Sequence, residues 1–89
     1  MTWQDQPLAP LVRSLLGHGT DVDLAKSAGM ARNTLRKVMR ADYIHAPTRH
    51  LEAILVALQP RLEMFDLTLT MEQLVQAYEL QLSNVDKHE

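Results

Sequence analysis

Asp21 to Arg40 reads DVDLAKSAGMARNTLRKVMR, and the fold turns on this stretch. Ala25 stands four places before Gly29, with apolar residues around them at Leu24, Ala28, Met30, Leu35 and Val38. Two short helices that cross at a tight turn need a small residue where they touch. They also need a turn residue that tolerates a left-handed backbone. Ala25 and Gly29 meet these two needs. The first helix is expected near Val22 to Ala28, with Thr20 or Asp21 capping it by accepting a backbone N–H. The second is expected over about Arg32 to Ala41. Leu35, Val38 and Met39 form its buried stripe, so Arg32, Asn33, Arg36, Lys37 and Arg40 point elsewhere.

On the N-terminal side, Leu8, Leu11, Val12, Leu15 and Leu16 recur at helical spacing, which predicts a helix from about Pro7 to Leu16 with Gly17 and Gly19 as stops. On the C-terminal side, Asp42 to Pro47 reads as a loop. Pro47 or Thr48 can start a fourth helix whose core face is Leu51, Ile54, Leu55 and Leu58. Val56 falls off that stripe as a contact left for a partner. Pro60 is expected to end this helix. In RLEMFDLTLT, Phe65, Leu67 and Leu69 alternate with polar residues as in a strand, yet Leu58, Leu62, Phe65 and Leu69 equally fit a helix. The expectation adopted is an extended segment at about Asp66 to Leu69. Thr70-Met71-Glu72-Gln73 matches a capping box. It opens a last helix to about Leu82, with Met71, Leu74, Val75, Tyr78 and Leu82 on one face and a frayed polar tail from Ser83. The fold class is therefore all-α, with four to five helices and room for one short C-terminal strand.

Eighty-nine residues with 46% hydrophobic and 22% charged composition are expected to form one domain, residues 1–89, around one core. Without cysteine, disulfides and thiolate metal sites are excluded. No apolar run reaches the roughly 18 residues of a membrane span. The start MTWQDQPLAP lacks the basic and apolar blocks of a secretory signal, so a cytoplasmic protein is expected. Net charge is only -2, but it is unevenly spread. From Lys26 to His50 there are six basic residues (Lys26, Arg32, Arg36, Lys37, Arg40, Arg49) against the single acid Asp42. The rest of the chain is acidic. A basic face on an acidic body orients a protein towards a polyanion, although such charges also occur as a merely solvated surface.

Enzymatic signatures are missing. His18, His45, His50 and His88 lack metal-ligand spacing, and His45 and His50 lie five apart across Pro47. Gly17 and Gly19 lack the third glycine and preceding strand of a phosphate loop. Ser14, Ser27 and Ser83 have no nucleophile motif around them. Asp21 and Asp23 read as helix-start charges favoured by the dipole. No enzyme, no metal and no cofactor is expected.

The stretch LAKSAGMARNTLRKVM resembles the helix-turn-helix of lambda-repressor-like (phage repressor and Cro type) DNA-binding domains. The likeness lies in a leucine-alanine pair, a glycine after a three-residue gap and an apolar residue in the middle of the second helix. The following loop, a proline and LEAILVAL resemble the family's next element, so the likeness covers about Leu8 to Leu58. It implies a DNA-binding core over residues 7–58; residues 61–82 have no equally clear match and form a C-terminal extension that is a candidate dimerisation element. It places Arg32, Asn33, Arg36 and Lys37 towards the major groove, where arginine and lysine suit guanine and asparagine suits adenine. It places Thr34, Arg40, Thr48 and Arg49 where phosphate contacts are common. Two positions depart from the pattern. Val22 stands where a polar residue, often glutamine, contacts phosphate, and Ala31 replaces the serine or threonine that caps the recognition helix.

The function expected from these features is a sequence-specific double-stranded DNA-binding transcriptional regulator, a repressor of phage or plasmid type. It would act as a homodimer on a pseudo-palindromic operator. Phe65, Leu67, Leu69, Val75 and Tyr78 are the candidate dimer interface; alternatively the last helix completes the monomer core. Two further readings stay open: the antitoxin of a toxin-antitoxin module, with a toxin as protein partner, and a protein-interaction or inhibitor module that uses the acidic surface without DNA.

Overall fold

The computed structural model describes residues 3–17 and 19–86, with side chains described as far as residue 83. Among these the protein is all-α, with α1 (Leu8–Leu16), α2 (Asp21–Ala28), α3 (Arg32–Met39), α4 (Thr48–Met64) and α5 (Met71–Asp86). The long α4 is central and packs on all four other helices, while α5 closes the core against α1, α3 and α4. One apolar core draws on every helix, and among the described residues no buried side chain except that of Tyr78 carries a nitrogen or oxygen.

The helix starts follow local chemistry. Pro7 occupies the N-cap of α1, and Thr48, expected as a possible cap, is instead the first residue of α4 behind Pro47. Thr20 Oγ1 accepts the Asp23 N–H (3.2 Å) at the start of α2. The capping box forms as expected: the Gln73 N–H donates to Thr70 Oγ1 (3.2 Å) and the Thr70 N–H to Gln73 Oε1 (2.9 Å). Ala31 supplies no side-chain cap to α3. That leaves the first N–H groups of α3 to other partners.

The helix ends correct several expectations. At Gly29, with φ 69, the Gly29 N–H donates to the Lys26 carbonyl and the Met30 N–H to the Ala25 carbonyl. That is the paired closure of a Schellman end. The same closure recurs without glycine. Ala41, at φ 56, stops α3 at Met39 rather than at Ala41 itself, with Ala41 N–H on Val38 and Asp42 N–H on Lys37. Asp66, at φ 55, stops α4 through Leu67 N–H on Leu62 at 2.8 Å.

Pro60 does not end α4, which runs four residues further. A proline inside a helix costs about 3 kcal/mol. Against this, Leu62 is buried beyond it, worth about 1.5–3 kcal/mol. Arg61 Nη1 also donates to the Leu16 carbonyl at the end of α1 (3.1 Å). A charged hydrogen bond of this kind adds about 1.5–3 kcal/mol.

The expected strand is absent among the described residues. Leu67 to Thr70 joins no β-ladder and forms a connection, from which Leu69 is buried and whose Thr68 carbonyl accepts from Gln4 Nε2 (3.2 Å). The last helix extends to Asp86, so Ser83 is helical rather than frayed, while residues 87–89 lie outside the described residues.

Gly17 ends α1 at φ 60, ψ -112, a conformation that side-chain-bearing residues rarely adopt. Gly17→Ala is expected to destabilise the protein by about 1–2 kcal/mol. Its added methyl meets no neighbour within 4 Å, so the cost is backbone strain alone. Urea denaturation of the variant measures it, and an unchanged midpoint would contradict this backbone.

Candidate nucleic-acid interface

The interface begins with how α3 is held. Leu35, Val38 and Met39 are buried, and Met30 in the preceding turn packs partly against the same core. Its opposite side is free: Arg32, Asn33, Arg36, Lys37 and Arg40 are all exposed, and Thr34 is half-buried. Helical spacing sorts them into two rows. Arg32, Arg36 and Arg40 follow one another at intervals of four, and Asn33 and Lys37 form a second row beside them.

One ion pair exists among the described residues, between Arg40 Nη2 and Asp42 Oδ2 (3.1 Å), both well exposed. Arg32, Arg36, Lys37 and Arg49 make none with the described residues. The cationic surface is therefore mostly uncompensated, and a single solvated pair at its edge is worth little.

Thr48 and Arg49 are exposed at the start of α4. Their placement relative to α3 depends on the intervening loop, and the loop is tied to α5. The buried Tyr78 hydroxyl donates to the Tyr43 carbonyl (3.0 Å) and accepts the Tyr43 N–H (2.9 Å). Ala41, also buried, anchors the loop's first residue, and the Tyr43 ring lies against His50 on α4 with centroids 6.0 Å apart. Burial holds the Tyr78 hydroxyl above the usual tyrosine range. The charges of Asp42 and Tyr43 push the same way, against the opposing pull of the Tyr43 backbone hydrogen bond.

The start of α2 offers less. Val22 is about half exposed and stands between an exposed Asp23 and a half-buried Asp21. Two clefts flank the ends of α3. One, of about 420 Å³, is lined by Arg13, Thr20, Asp21, Val22 and Arg32 among others. The other, of about 440 Å³, is lined by Ala9, Arg13, Met39, Arg40, Asp42 and Gln81. Arg13, on the exposed side of α1, belongs to both. Nothing in the sequence singled it out beyond its falling off the leucine stripe of α1.

The candidate dimer residues divide. Leu69 and Tyr78 are removed from that set, because both are buried in the protein's own core and have no surface to offer a second copy. Phe65 remains 53% exposed, and Leu67 and Val75 are half-buried. Val56, left over from the α4 stripe, is exposed as well. His45 is exposed and His50 half-buried, while His18 and His88 lie outside the described residues.

Comparison with known proteins finds no matching family model, no matching curated protein and no matching solved structure.

Proposed function

We propose that this protein is a sequence-specific double-stranded DNA-binding regulator of the lambda-repressor-like helix-turn-helix kind. It inserts α3 into the major groove and represses by occupying a pseudo-palindromic operator as a homodimer. The observation that supports this most is the outward face of α3. Four cations and one amide stand exposed in two rows on a short helix whose other side is locked into the core. Arginine and lysine reach guanine edges, asparagine reaches adenine, and cations at the rim meet phosphate. Arg40, Thr48 and Arg49 are exposed and suit the rim. Exposed Phe65 and half-buried Leu67 and Val75 are the candidate surface for a second copy.

The test is enrichment of bound sequences from a random duplex pool, followed by binding to the enriched duplex. Lys37→Ala and Asn33→Ala are each expected to cost about 1–3 kcal/mol of discrimination at one base pair, roughly a 5- to 150-fold loss of preference. Failure to enrich any duplex at low salt would remove the DNA-binding reading. A symmetric site bound by a protein of monomer mass would remove the homodimer alone.

A further inference from the structure

We propose that Arg13 of α1 joins Arg32 and Arg36 of α3 and Arg40 at its C-terminal end in one guanidinium track that grips the phosphate backbone of a DNA duplex, leaving Asn33 and Lys37 to the base edges. This inference rests on the DNA-binding reading above and reassigns Arg32 and Arg36 within it from base edges to phosphate.

Three observations lead to it. Arg13 lines the cleft beside Arg32 at the start of α3 and also the cleft beside Arg40 at its end, so it stands alongside the arginine row rather than at one tip. It is exposed and makes no ion pair among the described residues. The row it flanks is the i, i+4, i+8 edge of α3, distinct from the edge that carries Asn33 and Lys37.

Each cleft also contains an acid, Asp21 in the first and Asp42 in the second. Asp42 pairs with Arg40, while Asp21 reaches no cation at ion-pair distance among the described residues. Four guanidinium groups against two carboxylates keep the track cationic. The eight residue steps from Arg32 to Arg40 at the end of α3 rise about 12 Å, enough to follow several phosphates of one strand. Guanidinium groups bind phosphate oxygens in bidentate fashion, and such contacts set register without reading sequence. Arg13, on a different helix, would widen the grip beyond the groove that α3 enters.

The experiment measures binding of the full-length protein to its enriched duplex and to an unrelated duplex from 50 to 200 mM salt. Arg13→Ala should lower the slope of log K against log salt by about 0.9, so that affinity falls about 3- to 4-fold less than wild type across that range. The loss at low salt should be equal on both duplexes. Arg13→Lys, which retains the charge, should recover the wild-type slope. Asn33→Ala should leave the slope unchanged and reduce only the preference for the enriched site. A wild-type slope in Arg13→Ala would overturn the proposal, as would a loss confined to the enriched duplex, which would make Arg13 a base reader. Absence of any duplex binding by the wild-type protein is a separate result and removes the DNA-binding reading itself.

Discussion

Leu35→Ala is expected to destabilise the protein by about 2–5 kcal/mol, the usual range for emptying a fully buried leucine site. Leu35 is 0% exposed and sits midway along α3, between the two residues Asn33 and Lys37 that face outward. The helix has eight residues, well short of the roughly 12–15 at which isolated helices become even marginal in water. It therefore exists because Leu35, Val38 and Met39 are packed, and Leu35 is the central one of these contacts. For a domain of this size each kcal/mol lowers Tm by about 4–8 °C, so the variant should melt at least about 8 °C below wild type. Total stabilities of about 5–15 kcal/mol leave little reserve, and α3 should lose its outward geometry before the rest of the fold does. Thermal unfolding followed by circular dichroism checks the first expectation, and amide exchange across residues 32–39 checks the second. A loss under about 1 kcal/mol would mean that Leu35 is not enclosed as described.

Tyr78→Phe is expected to cost about 2–4 kcal/mol, although it removes a single oxygen atom. The reason is that the lost hydroxyl serves two groups at once, the Tyr43 N–H and the Tyr43 carbonyl. Both lie in a half-buried residue and would be left without that partner. The damage should reach the interface, because this contact sets the loop between α3 and α4. Faster amide exchange is expected at residues 41–47, while α1 and α2 stay protected.

The pH dependence supplies a second readout. The Tyr78 hydroxyl titrates above the ordinary tyrosine value of 10.0 in the folded protein, chiefly through burial and further through Asp42 and Tyr43. The folded state therefore holds this proton more tightly than the unfolded chain does. Its stabilisation is complete below pH 10 and is lost as pH rises through the folded value. Wild-type urea midpoints should fall above pH 10, and those of Tyr78→Phe should fall less steeply. Parallel curves for the two proteins would show that Tyr78 is not the group responsible.

Leu35 and Tyr78 also mark how far the chain could be read without its structure. Leu35, Val38 and Met39 were legible because helical periodicity is a local property, carried within a few residues. The same holds for the leucine stripe of α1, the glycine turn at Gly29 and the Thr70–Gln73 capping box. Tyr78 was legible as apolar and helical, but not as the partner of a loop thirty-five residues earlier. An aromatic residue on an amphipathic helix serves a partner or the protein's own core equally well. Only the packing of α5 on α1, α3 and α4 decides which.

The sequence by itself determined the all-α class, the short helix pair around Gly29 and the concentration of positive charge on one side of α3. Each follows from spacing and from residue type at that spacing, which neighbours in the chain suffice to set. Tertiary structure decided the rest. It carried α4 through Pro60, where burial of Leu62 and the Arg61 contact with α1 offset the local penalty. It closed α3 and α4 at Ala41 and Asp66, where a left-handed residue that is not glycine is held by the surrounding bonds. It also set Arg13 beside a helix from which it is distant in sequence. In each case a local cost or a local silence was resolved by contacts between helices, and those contacts exist only once the core has formed.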